Sequence, residues 1–215
     1  MAAVNSPDGN PTDDGVQVDR GGLEHVAERM AGISRSLVAE GEVLESEFNS
    51  LMDRWCGMSA NKWGPEFCAW HQDMKGLLAQ LEGIANEVRE TARPSVATGD
   101  GSEGTVADSA DGGESNQVSG RFEVDLDQFD KVLKIMRSFE KSLSQAEAQV
   151  TDSLTSIRQT CRSVGAQAVV TWMTDWFEGF QRAQSELNRL RVAGESITTN
   201  YRNAFRANSQ MLDGL

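Results

Sequence analysis

A seven-residue apolar repeat that occurs twice, at a constant offset of 106 residues, narrows the architectures open to this chain. Leu23, Met30, Leu37, Leu44 and Leu51 form one row, and Val26 and Ile33, then Phe48 and Trp55, form a second row with a one-residue slip near Gly41. Phe129, Met136, Leu143, Val150 and Ile157 repeat the first row. Val132, Phe139 and Ala146, then Leu154 and Cys161, repeat the second, with the slip at the matching place. Heptad spacing puts each pair of rows on one stripe of one helix, and the gap-free offset marks an internal duplication.

Each of these helices is followed by a second. After the break at Trp55-Cys56-Gly57, Trp63, Trp70, Leu77 and Ile84 run beside Phe67, Met74, Leu81 and Val88 up to Pro94. Helices of about 30 residues and about 45 Å are too long for a compact globule and suit a hairpin. The stripes of one hairpin cover each other only in part, and the remainder needs another layer. The expected fold is therefore all-α, with two tandem helix-turn-helix hairpins packed as an antiparallel four-helix bundle.

Two segments lack any hydrophobic period, and the domain plan follows from them. Residues 1–20 are expected to be a disordered tail, 21–93 hairpin 1, 94–120 a flexible acidic Gly/Ser linker and 121–215 hairpin 2. Neither aperiodic segment holds enough large apolar side chains to offset its ordering entropy. A linker of that length holds the halves at high effective concentration, so a closed monomeric bundle is expected.

The net charge of −13, with no block of Lys and Arg, argues against nucleic acid as a partner and against anionic membrane at neutral pH. No 18-residue apolar stretch occurs, and Asp8, Asp13, Asp14 and Asp19 stand where a Sec signal needs a basic start and an apolar middle. Cys56, Cys68 and Cys161 are too few and too irregular for a disulfide framework.

The Trp55-Cys56-Gly57 turn between two long amphipathic helices resembles the Trp-x-Gly turn of the WXG family of small type VII (ESX) secretion proteins. The run WCGMSANKWGPEFCAWHQDM from Trp55 resembles the F-type member of the Esx E/F pair. GAQAVVTWMTDW from Gly165 and NYRNAFRANSQM from Asn200 resemble its E-type partner. The resemblance implies a natural fusion of two proteins that elsewhere pair as a heterodimer. It also implies export through, or escort along, a type VII system in an actinobacterial envelope, with a protein partner or toxin bound through the helical surface. Two departures bear on this. Cys161-Arg162-Ser163 replaces Trp-x-Gly at the second turn, and Tyr201 is followed four residues later by Phe205 where the family's export signal has an acidic residue. An export signal supplied by a partner fits that departure.

Candidate sites are weighed against plain packing. Trp63, Phe67, Trp70, Met74, Phe129, Met136, Phe139, Trp172, Trp176 and Phe180 are assigned to inter-hairpin packing, since aromatics on an apolar stripe usually serve there. Trp55 is either a turn plug or a partner-facing aromatic. Tyr201 and Phe205 lie on the part of the last helix that outruns the second helix, a candidate export or partner tail. Cys68 and His71 have a ligand-like spacing, but two further ligands are missing and His25 is far away, so an inert thiol beside a surface imidazole is expected and no metal or cofactor. No nucleophile-base pair or phosphate loop occurs, and the chain is read as a binding protein and not an enzyme. Two rival readings are a membrane-active or channel-forming assembly led by the Trp55–Gly57 turn and a cytosolic helical scaffold.

Overall fold

The computed structural model describes residues 20–92, 124–160 and 164–213. The expected tail up to residue 19, the linker over 94–120 and the second turn, Cys161-Arg162-Ser163, lie outside them. Helices α1 (Arg20–Met52), α2 (Met58–Ala92), α3 (Leu126–Thr160) and α4 (Val164–Asp213) account for nearly all described residues, and no strand occurs among them.

Their arrangement is a four-helix bundle in which α1 packs on α2 and α3, and α4 packs on the same two helices, so that α1 and α4 lie on one diagonal. All neighbours run antiparallel. Along α2 and α4, Trp63 reaches Leu190 while Trp70 reaches Ala183. Along α1 and α3, Lys131 meets Glu47 near one end and Arg29 meets Asp152 near the other. The C-terminal ends of α1 and α3 therefore lie at opposite ends of the bundle.

The core is one continuous stripe per helix, and burial follows the 106-residue offset. Leu23, Met30, Leu37, Leu44 and Leu51 are buried, as are Phe129, Met136, Leu143, Val150 and Ile157. In the second helices the buried Trp63, Phe67, Trp70, Met74, Leu81 and Ile84 correspond to the buried Val169, Met173, Trp176, Phe180, Leu187 and Leu190. Each hairpin alone would leave part of this stripe in water, at a cost of roughly 25 cal/mol per Å².

Helix ends are set locally. Asp125 caps α3: its Oδ1 accepts the N–H of Gln128 at 2.9 Å, and its carbonyl accepts that of Phe129 at 3.0 Å. The fourth helix is longer than its counterpart, because Ala92, the last residue of α2, corresponds to Thr198, whereas α4 continues to Asp213. No described helix is long and apolar enough to cross a membrane.

Candidate functional site at the Trp-Cys-Gly turn

The first turn is built from a few backbone bonds and one glycine. Trp55 N–H still donates to Leu51 at 3.0 Å, closing the last turn of α1, and Asn61 N–H donates to the Gly57 carbonyl at 2.9 Å, opening α2. Between them Gly57 takes φ 119°, a backbone conformation that side chains with a Cβ rarely adopt. That rotation reverses the chain within five residues and leaves Cys56 and Met58 facing solvent, Met58 being 91% exposed.

Trp55 itself points inward and is 2% exposed. Its ring meets Trp63 edge-on at 5.8 Å and Phe129 of the other hairpin edge-on at 4.8 Å. Its Nε1–H donates to the Tyr201 hydroxyl at 3.3 Å. The indole therefore plugs the end of the bundle and is closed over by α3 and α4. It offers no face to a partner in this state.

An aromatic cluster extends inward from the plug. Trp63 stacks on Phe129 at 5.1 Å, Phe48 on Phe67 at 3.7 Å, and Trp70 meets Phe139 edge-on at 6.1 Å. Three indoles also donate across the hairpin interface to backbone carbonyls: Trp63 to Leu190 at 2.9 Å, Trp70 to Ala183 at 2.9 Å and Trp176 to Leu77 at 2.7 Å. Each buried indole N–H thereby meets its requirement for an acceptor. Gly194 makes this approach possible, since a Cβ there would come within 2.8 Å of Leu133, 3.0 Å of Trp63 and 3.3 Å of Phe129.

Of the ten residues assigned to inter-hairpin packing, Trp63, Phe67, Trp70, Met74, Phe129, Met136, Phe139, Trp176 and Phe180 lie in the core. Trp172 does not, and its assignment is corrected: it is 46% exposed. Its heptad row runs through Gly165, Gly179 and Glu186, small or polar positions beside the α4 core stripe of Val169, Met173, Trp176 and Phe180.

His71 requires a second correction. It was expected at the surface beside Cys68, yet it is 3% exposed while Cys68 faces solvent. Its ring lies parallel to Phe67 at 6.0 Å, with Nδ1 3.4 Å from Glu45 Oε1. Burial lowers its pKa from the ordinary 6.5, Lys75 adds to that, and Glu45 and the Gly41 carbonyl oppose it. The signal was present in the sequence, because Phe67, His71, Met74, Leu78 and Leu81 alternate by four and three and so share one helical stripe. No group of three or more metal-ligating side chains occurs among the described residues.

Around the turn, polar groups tie the two hairpins together. Arg54 lies 3.6 Å from Asp125 and Lys131 2.7 Å from Glu47, while within the second hairpin Arg202 of α4 pairs with Asp130 of α3. The hydrogen bonds from Lys131 and Gln128 hold the Glu47 carboxyl below its ordinary range. Farther along α4, Arg137 and Arg191 do the same for Glu195. Beyond Arg202 no other described element buries the helix. Tyr201 is half-buried, and from Arg202 to Leu212 every residue is exposed, with Phe205 at 50%, Met211 at 66% and Leu212 at 73%.

Residues 15–94 match the model of the WXG100 family, described as proteins of 100 residues with WXG. That span takes in hairpin 1 and the Trp55-Cys56-Gly57 turn, so the sequence similarity falls on the first hairpin. No curated protein and no solved structure matches the chain.

Proposed function

We propose that this chain, with its WXG-like first hairpin, is a type VII secretion-associated protein in which both members of a WXG-type pair are covalently joined. It acts by recognising a protein partner through its helical surface, and it is exported as, or together with, a substrate. The observation that carries this reading is the overhang of α4. Tyr201, Phe205 and Leu212 continue the apolar stripe of α4 past the end of the bundle, where no described element faces Phe205 or Leu212. A helix with an amphipathic face and no neighbour among the described elements suits helix-in-groove recognition. The position four after Tyr201 is Phe205 and not an acidic residue, which supports an export signal contributed by the partner.

The buried state of Trp55 weighs against the reading in which the turn leads insertion into a bilayer. Its indole would first have to leave Phe129, Trp63 and Tyr201.

The test is removal of residues 203–215 from the full chain, followed in the source organism. Residues 203–212 are all exposed, so the shortened chain should keep its thermal stability while losing export and partner co-purification. Export and partner capture at wild-type levels would defeat the proposal.

A further inference from the structure

Across three of the four helix-helix seams, acidic side chains face bases on the neighbouring helix. Lys131–Glu47 bridges α1 and α3, Arg89–Glu28 bridges α1 and α2, and Arg137–Glu195 and Arg191–Glu140 bridge α3 and α4. The α2/α4 seam differs. It has Arg189–Glu66 at one end, and past that point no ion pair crosses it among the described residues.

There the surface is concave. Two depressions of about 390 and 460 Å³ meet at Gln80 and run from Gln72 to Glu87 on α2, opposite Trp172 to Glu186 on α4. The groove is roughly 22 Å long at 1.5 Å per residue, or about four helical turns. Its floor is apolar, with Leu77, Ile84 and Trp176, and Trp172 stands half-exposed at one end. It is the one exposed tryptophan of the five; the others are 2% exposed. Gly76 and Gly83, one heptad apart, leave open space where a Cβ would project. The carboxylates of Asp73, Glu87, Asp175 and Glu186 line the groove without an ion pair among the described residues, against one cation, Arg182.

We propose that this groove docks a cationic amphipathic helix of a partner protein. Apolar side chains seven residues apart would enter the notches at Gly76 and Gly83. Trp172 would pack on the apolar face, and flanking Lys or Arg would meet the four carboxylates and the indole face. Charge decides against the other occupants. Residues 1–19 carry four aspartates and no base, residues 94–120 carry Asp100, Glu103, Asp108, Asp111 and Glu114 and no base, and a second copy brings a net charge of −13. The proposal rests on the reading of the chain as a partner-binding protein, and it places one such contact on a surface separate from the overhang.

The experiment uses the full chain and two labelled 18-residue helical peptides that share leucines at heptad spacing, one flanked by lysines and one by glutamates. Fluorescence anisotropy should show saturable binding of the lysine peptide, weakened by added salt, and none of the glutamate peptide. Trp172→Ala, Gly83→Leu and the combined Asp73→Asn, Glu87→Gln, Asp175→Asn, Glu186→Gln variant should each weaken it at least about tenfold, as expected for loss of an anchor or of charge complementarity. All these positions are exposed, and Trp172→Ala leaves the core untouched should Gly83→Leu fold poorly. Equal binding of both peptides, or wild-type affinity in the folded variants, overturns the proposal. Co-purification from the source organism separates the two claims. A partner captured equally by wild type and W172A removes the groove and leaves the partner-binding function standing. No partner at all, while the lysine peptide still binds as described, removes that function and leaves the groove.

Discussion

Trp70 and Trp176 stand 106 residues apart in sequence and donate reciprocally across the hairpin interface, Trp70 to the carbonyl of Ala183 and Trp176 to that of Leu77. Leu77 and Ala183 are separated by the same 106 residues, so the two bonds are exchanged by a pseudo-two-fold axis between the hairpins. The interface thus has the self-complementary form of a symmetric dimer inside one chain. The symmetry breaks toward the first turn, where Trp63 bonds to Leu190 and its counterpart Val169 has no donor.

The contrast between Trp176 and Trp172, one turn apart on α4, makes a first prediction. Trp176→Ala empties a fully packed site and should cost about 3–5 kcal/mol, whereas Trp172→Ala at the surface should stay within about 0.5 kcal/mol. Chemical denaturation of the two variants measures both.

A buried glycine and an exposed one should respond with opposite signs. Gly194→Ala puts a Cβ against Leu133, Trp63 and Phe129 and should destabilise by about 1–3 kcal/mol through overpacking. Gly83→Ala meets open space in an exposed helix and should stabilise by roughly 0.5–1 kcal/mol through helix propensity alone. Thermal melts of the two variants decide it.

The first turn depends on one backbone angle. At φ 119°, Gly57→Ala should cost about 1–3 kcal/mol through backbone strain. A loss of similar size on replacing the neighbouring, exposed Cys56 by Ala would show that the cost does not come from the angle.

His71 should give the bundle a pH dependence near neutrality. Its folded-state pKa lies below its ordinary 6.5, because burial disfavours the imidazolium. On acidification the unfolded chain therefore takes up the proton first. Stability is full above 6.5 and declines as pH falls from there toward the folded pKa, with a slope of at most about 1.4 kcal/mol per pH unit. Glu47 and Glu195, whose pKa values are lowered, act in a separate window, losing their contribution below the ordinary carboxylate range near 4.5. Urea titrations from pH 7.5 to 5.0 should show the decline in wild type and a flat profile in His71→Gln.

The heptad rows and their offset of 106 residues were enough to read four helices, two hairpins and a shared core, because periodicity specifies which side of a helix must leave water. They also located the Trp55-Cys56-Gly57 turn, since the rows stop on one side of it and restart on the other. Rows do not specify what stands opposite each side chain. That depends on how far each helix rotates and slides against its neighbours, which no single segment encodes. Tertiary packing therefore decided that Trp55 is closed over by Phe129 and Tyr201, and that the indoles of Trp70 and Trp176 reach each other's hairpin. It also decided that His71 is buried beside Glu45, and that Trp172 stays in water beside a groove whose four carboxylates form no ion pair among the described residues.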